Sequence, residues 1–268
     1  MLLGLSDHSM NDFTNLYGPW AVVTGASAGI GAEFAAQLAA LNMNLILIAR
    51  RQLRLKKLAE ELENKHRIET RIIAIDLSRL DFLPEIIAAT QGLEVGLLVN
   101  NAGFGIAGKF LDHDMERELA LLAVNCRAPL ALTHAFGREM ARRNKGGIIF
   151  VSSVSAYIAT PFEATYSASK VFELFLAEAF RYEFRETGVQ VLALCPGSTA
   201  TEFHEISGSS EVAAMPVQPV VKLALDKLGR KPVAIPGWHN RLLVYTLKMT
   251  PRRLQSLLAG RVMAKLLR

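Results

Sequence analysis

Tyr166 and Lys170 stand four residues apart in Thr165-Tyr166-Ser167-Ala168-Ser169-Lys170. Residues at i and i+4 of a helix share one face. A phenol, with a reference pKa of ~10, is a poor acid–base catalyst at neutral pH. An ammonium one turn away favours the phenolate and draws that pKa toward the working range. The pair can therefore pass a proton to or from a carbinol oxygen. Alone the spacing is unspecific, because Tyr and Lys at helical intervals are common on solvated faces. It has company. Ser152-Ser153, Asn100-Asn101-Ala102-Gly103 and Pro196-Gly197 each follow a short apolar run. In an open α/β sheet the carboxyl ends of strands carry the ligand site, so these groups would converge at one edge.

A second chemistry, anion binding, is suggested by Thr24-Gly25-Ala26-Ser27-Ala28-Gly29-Ile30-Gly31. Glycines let a turn take positive φ and let backbone approach a ligand, and a helix N-terminus offers free N–H groups to a pyrophosphate. The spacing is G-x-x-x-G-x-G, not the commoner G-x-G-x-x-G. An ordinary strand–helix turn is the bland alternative; the position between a strand and a helix favours a nucleotide loop. The next apolar run, Leu45–Ile48, leads into Ala49-Arg50-Arg51 with no acid. An acid there would accept from a ribose 2′-OH, whereas a guanidinium accommodates a 2′-phosphate. The segment favours NADP(H) over NAD(H), with Arg50 as phosphate ligand and Arg51 as helper. The competing reading is a solvated helix start, since Arg54, Lys56 and Lys57 follow.

These groups need elements to position them. Ala21–Val23, Leu45–Ile48, Ile72–Ile75, Leu97–Val99, Ile148–Val151 and Val191–Leu194 read as buried strands. Amphipathic stretches near 30–41, 52–65, 82–90, 114–143 and 166–187 alternate with them. That alternation predicts βαβ units, a parallel sheet with helices on both faces, and a doubly wound three-layer α/β/α fold. A single domain over 19–236 is expected, after an N-terminal extension 1–18 and before C-terminal helices over 237–268. Thr201–Pro219, small, polar and Pro-bounded, reads as a lid over a ligand site.

Composition narrows the class. The 268 residues are 51% hydrophobic and 21% charged, which fits a globular chain. The two cysteines form no C-x-x-C pair, which excludes a disulfide scaffold or Cys-based zinc site and favours a reducing, cytoplasmic compartment. The six histidines have no paired ligand spacing, so no metal site is expected. The net charge of +5 is uneven: residues 227–268 hold 10 Lys and Arg and no acid, and the rest is mildly acidic. The first residues have no basic n-region, so no signal peptide is expected. No uncharged apolar run of ~18 residues is present, so no spanning helix is expected.

The combination resembles the short-chain dehydrogenase/reductase family, in its single-domain, NADP-preferring branch. The matching residues are Thr24-Gly25-x-x-x-Gly29-x-Gly31, Asp76, Asn100-Asn101-Ala102-Gly103, Asn125, Ser153, Tyr166-x-x-x-Lys170 and Pro196-Gly197-x-x-x-Thr201. They come in the family's order, with its Ser-to-Tyr separation. The resemblance implies a Rossmann fold and an oxidoreductase acting on CH–OH groups. Tyr166 would be the general acid in carbonyl reduction and base in alcohol oxidation. Lys170 would lower its pKa and bind the nicotinamide ribose, and Ser153 would hold the substrate oxygen. Asn125 would support a water joining Lys170 to solvent. Gly25, Ser27, Gly29, Ile30 and Gly31 would cradle the cofactor, with Ala102 and Gly103 beside it. Asp76 would contact adenine, Asn101 the adenosine ribose or the central strand, and Thr201 the carboxamide. The bland alternatives are a helix break at Asn125, a helix N-cap at Asp76, and Ser152 rather than Ser153 facing the site.

Residues near the expected pocket are apolar: Phe104, Ile106, Val154, Tyr157, Ile158 and Phe162, with Phe203, Ile206 and Met215 in the lid. A hydrophobic ketone, aldehyde or secondary alcohol is the expected substrate. Apolar residues at 254, 258, 262 and 266, bordered by Arg252, Arg253, Arg261, Lys265 and Arg268, predict a basic amphipathic tail helix. It could lie on an anionic membrane or pack on protein. The resemblance implies a homodimer or homotetramer through helices 114–143 and 166–187. A sensor that binds NADP(H) without turnover is the rival reading. A nucleic-acid partner is not expected, because the body is acidic and lacks an aromatic platform.

Overall fold

The computed structural model describes residues 13–203, 207, 208 and 214–266. Val-, Ile- and Leu-rich runs bury both faces as parallel strands. They are β1 (Trp20–Thr24), β2 (Asn44–Ala49), β3 (Thr70–Ala74), β4 (Val95–Asn100), β5 (Gly146–Val151), β6 (Val189–Leu194) and β7 (Val233–Ala234). The sheet order is β3-β2-β1-β4-β5-β6-β7. The chain leaves β1 toward β2 on one side and reaches β4 on the other. The loops after β1 and β4 therefore part and open a crevice at the strands' carboxyl ends.

Side chains alternate strictly across the sheet. Ala21, Val23, Leu45, Leu47, Leu97 and Val99 pack against α1 (Gly29–Ala40), α2 (Gln52–His66) and α7 (Val217–Lys227). Val22, Ile46, Ile48, Leu98, Ile148 and Phe150 face α3 (Phe82–Ala89), α5 (Ala128–Arg142) and α6 (Ala164–Glu183). Three layers result. Helix α4 (Met115–Leu122) runs into α5 through a π-helical turn, Ala123–Arg127, which carries Asn125. The break anticipated at Asn125 is thus a widened turn within one helix.

Some boundaries differ from the sequence reading. Strand β3 begins at Thr70, two residues early, because its first residues are polar and partly exposed. Strand β7 has two residues, too few for a pattern. Helix α7 was not anticipated; it starts at Val217, inside the expected lid, and takes Pro219 in its first turn, where no N–H is needed. Of the N-terminal extension, residues 13–17 are helical and Tyr17 is buried in the core. One helix among the described residues, Met115–Arg142, is long and apolar enough to cross a membrane by length and composition. It lies against the sheet, burying Leu121, Leu132, Phe136 and Met140.

The C-terminal helices are α8 (Trp238–Met249) and α9 (Arg252–Leu266). Gln255 Nε2 ties them together, donating to the carbonyls of Leu247 (2.6 Å) and Thr250 (2.8 Å). Trp238, Tyr245, Met249, Leu257 and Val262 are exposed.

Candidate active site

The glycine loop after β1 is built by close approach. Gly25 and Gly29 take φ of +67° and +56°, where a side chain is strained. A Cβ on Gly31 would strike the Gly25 carbonyl, and one on Gly29 would lie 2.8 Å from Thr201 Cγ2. The amides of Asn101 and Ala102 both donate to Thr24 Oγ1 at 2.9 Å, and Asn101 Nδ2 donates to the Thr24 carbonyl at 2.8 Å. Asn101 therefore pins the β4 end to the loop, the second of its two anticipated roles. The α1 N-cap is Ala28, without a side-chain acceptor, and the first turn holds no acid. Its N–H groups remain available to an anion.

The arginines after β2, expected as phosphate ligand and helper, differ in how they are held. Arg51, at the α2 N-cap, turns back to the loop; its Nε donates to Ser27 Oγ at 3.0 Å. Its guanidinium pairs with Glu202 at 2.6 Å, and Arg54 holds the same carboxylate. Arg50 points outward, with a side chain 69% exposed and 3.9 Å from Asp76. Both line the cleft, but Arg51 is the held one. Asp76 Oδ1 accepts from Ser78 N at 2.9 Å, so it caps a turn while lining the cleft. Glu202 is a site residue that the sequence reading missed; the signal was an acid beside Thr201 in a chain with basic residues at 50, 51 and 54.

At the other end, α6 carries Tyr166 and Lys170, both buried. Ser152 Oγ donates to the Lys170 carbonyl at 2.7 Å. Ser153 accepts from Ser155 N at 3.1 Å and hydrogen-bonds the Tyr166 phenol. Ser153, not Ser152, thus meets the tyrosine. Asn125 is wholly buried and spends its side chain on structure. Its Oδ1 accepts from Phe104 N at 3.1 Å, and its Nδ2 donates to the Phe104 carbonyl and to Ser169 Oγ, each at 3.0 Å. It holds the Gly103-Phe104 loop and does not line the cleft.

Lys170 Nζ donates to the Val151 carbonyl at 2.9 Å and to Glu173 Oε2 at 2.8 Å. Glu173, also missed, is fully buried. Burial lifts its carboxyl to about 7 against the pull of Lys170. Tyr166 is pushed up by burial; Lys170 and the Ser153 hydrogen bond pull it down, and Glu173 and Glu163 push it up. The expected lowering by Lys170 is present, but burial outweighs it. Glu163 lines the cleft with its own carboxyl raised by burial.

These groups share one cleft of ≈ 400 Å³ running from Arg50 to Phe203. Ile106, Leu121, Phe104 and Phe203 cluster with Tyr166, and the Tyr166 and Phe203 rings are 5.2 Å apart. Of the expected pocket residues, Phe104, Val154 and Phe203 line the cleft. Tyr157 packs into the core, and Met215 bridges to Thr199. Ile206 lies outside the described residues. Among the described residues no three His, Cys, Asp or Glu side chains group as metal ligands.

A family model for short chain dehydrogenase matches residues 19–211. The chain is a short-chain dehydrogenase. It is 30% identical over 239 residues to a 7beta-hydroxysteroid dehydrogenase of Mediterraneibacter gnavus, covering 87% of this dehydrogenase and 91% of that one. A short-chain dehydrogenase from Sphingobium yanoikuyae, solved in complex with NADPH, superposes with TM-score 0.80 and 30% identity over 87% of this chain and 93% of its own. A bulky-bulky ketone specific alcohol dehydrogenase from Comamonas testosteroni gives TM-score 0.77 and 30% identity over 87% and 92%. This short-chain dehydrogenase is thus an oxidoreductase acting on CH–OH groups through a nucleotide cofactor. The relatives lend no support to a sensor without turnover.

Proposed function

We propose that the enzyme transfers hydride between NADP(H) and a lipophilic ketone, aldehyde or secondary alcohol, with Tyr166 as acid and base. The observation that carries this is one cleft with Ser27 and Arg51 at one end and Ser153, Tyr166 and an apolar cluster at the other. The residues fit a dinucleotide: Gly25 and Gly29 line the cleft without side chains, Gly31 lets the loop close on itself beneath them, and the ribose end holds arginines. Arg51 with Ser27 would hold the 2′-phosphate, Gly25–Gly31 the pyrophosphate, Asp76 the adenine, Thr201 the carboxamide and Lys170 the nicotinamide ribose. When bound, the cofactor supplies or accepts the hydride.

Ser153 fixes the substrate oxygen beside the phenol. Tyr166 gives it a proton in reduction and takes one in oxidation. Asn125 holds the 103–104 loop that borders the site through its side chain, a positioning role beside the water contact expected of it. Phe104, Val154 and Phe203 exclude water around the reacting carbon. The names of the steroid dehydrogenase and the bulky-ketone dehydrogenase support a bulky, apolar substrate. The test is turnover against a carbonyl series graded by apolar size, with NADPH and NADH compared.

The partners follow from two surfaces. Leu119, Leu122 and Leu130 on α4 and α5, with Phe175 and Tyr182 on α6, are exposed and support a homodimer or homotetramer through these helices. The exposed apolar residues of α8 and α9, in a segment without acids, support peripheral contact of a cytoplasmic enzyme with anionic lipid. Light scattering and flotation with phosphatidylserine vesicles test them.

A further inference from the structure

Beside the catalytic Tyr166, Lys170 and Ser153 lies a buried acid with no part in the proton transfer. Glu173 lies one turn beyond Lys170 on the face of α6 turned to the sheet. Its oxygen is 2.8 Å from Lys170 Nζ, and both side chains are at least nine-tenths buried. Desolvating an ion pair is unfavourable unless geometry and further hydrogen bonds compensate. Two apolar side chains would pack this spot at less cost, so the pair is kept for what the Lys170 ammonium does, and Glu173 is what holds that ammonium. The carboxylate is also near the reacting phenol: Lys170 Nζ lies 5.8 Å from the Tyr166 ring centroid.

We propose that Glu173 is a positioning residue that fixes Lys170 and neutralises its charge, so that Tyr166 stays protonated and able to act as an acid through neutral and mildly alkaline pH. The proposal rests on Tyr166 being the acid. The charge count explains the effect. With Glu173 ionised, the carboxylate, ammonium and phenol sum to zero, and ionising the phenol would leave a buried net negative charge. Without the carboxylate the sum is +1, and ionising the phenol would neutralise it. Glu173 thus opposes what Lys170 does, as the opposite directions in which the two push the phenol indicate. Holding Nζ against the Val151 carbonyl and Glu173 also leaves the ammonium one N–H for a ribose hydroxyl.

Among the described residues, Lys170 is the cation that acts on Glu173. Cys126, on the π-helical turn, and Cys195, after β6, are raised by burial to about 11 and about 12, so both stay thiols. Tyr157, in the turn after Ser153, is raised by burial and partnered by Cys195. Strand β5 carries no titratable group. On α4, Glu118 is held by His113 at 2.6 Å, and Arg117 and Glu116 lie on the same helix. Glu163, at the N-cap of α6, and Glu178, within it, are the remaining acids that act on this cluster.

The test is Glu173→Gln, which keeps an acceptor for Lys170 and removes the charge, run beside wild type and Tyr166→Phe. kcat/KM is measured from pH 6 to 10 in both directions with NADPH and NADP+. A unit charge less than about 9 Å from the ring, at an effective dielectric of ~20, shifts a pKa by about one unit. The alkaline limb of reduction and the rising limb of oxidation should therefore both move about one pH unit lower in Glu173→Gln. A second readout uses no cofactor. A carboxyl raised from 4.5 to about 7 binds its proton more tightly in the folded state. Its ionisation then weakens the fold progressively as pH rises from 4.5 to 7. The Tm of Glu173→Gln minus that of wild type should grow by several degrees over that window and level off above it. Limbs that superpose on wild type while Tyr166→Phe is dead overturn the proposal and leave the catalytic reading standing. Full activity in Tyr166→Phe overturns both. A Tm difference that goes on growing from pH 7 to 9 means that Glu173 is still protonated there, which removes its charge and the proposal with it.

Discussion

Replacing each arginine after β2 separately tests how the site chooses its cofactor. Arg51 is held by Ser27 Oγ at 3.0 Å and by Glu202 at 2.6 Å, whereas Arg50 is 69% exposed and only 3.9 Å from Asp76. A hydrogen bond to a charged group contributes about 1.5–3 kcal/mol. Arg51 is 40% exposed and exchanges Glu202 for the phosphate, which places its net contribution at the low end. Arg51→Ala should weaken NADPH binding by about 1.5–2 kcal/mol, roughly 10- to 30-fold. Arg50→Ala should cost under about 1 kcal/mol, or roughly fivefold. NADH, without the 2′-phosphate, should change less than about twofold in either variant. Fluorescence titration of both cofactors into each purified variant reads all three. Arg50→Ala weakening NADPH more than Arg51→Ala, or Arg51→Ala weakening NADH equally, would refute the assignment.

Three further outcomes follow from the same geometry. Glu202→Gln should tighten NADPH severalfold in the same titration, because the carboxylate competes with phosphate for Arg51 and Arg54; weaker binding would contradict this. Asn125→Ala removes three hydrogen bonds from a buried site and should cost about 2–4 kcal/mol, seen as a lower urea midpoint at unchanged m-value. Gly31→Ala places a Cβ against the Gly25 carbonyl and 2.5 Å from Asn101 Nδ2, and should weaken NADPH at least tenfold while circular dichroism stays native.

Much of this site was legible in the sequence because strand ends and turns have strong local signatures. The glycine loop, Asn100-Asn101-Ala102-Gly103 and Ser152-Ser153 each mark where an apolar run stops, and β1, β4 and β5 bring those points together. Tyr166 and Lys170 were legible through helical spacing. What the sequence hid was choice among neighbours. Ser153 turns to the Tyr166 phenol while Ser152 turns to the Lys170 carbonyl, and Arg51 folds back on the glycine loop while Arg50 points outward, directions set by how each side chain leaves its strand end or helix cap. Glu173 was hidden because an acid three residues after a lysine reads as a solvated helix pair; only the packing of α6 on the sheet buries it. Glu202 was hidden because its arginine partners are about 150 positions away. Helix α7 and strand β7 escaped because one starts among prolines and the other has two residues.

The central claim is that Tyr166 passes a proton to a bulky carbonyl while NADPH is oxidised. The most direct measurement follows absorbance at 340 nm across ketones and aldehydes of rising apolar size, with wild type, Ser153→Ala and Tyr166→Phe in parallel. Turnover should rise with apolar size, favour NADPH over NADH, and fall by roughly 10²–10⁴-fold in Tyr166→Phe with cofactor affinity retained. A Tyr166→Phe variant that reduces the best substrate as fast as wild type would contradict the account.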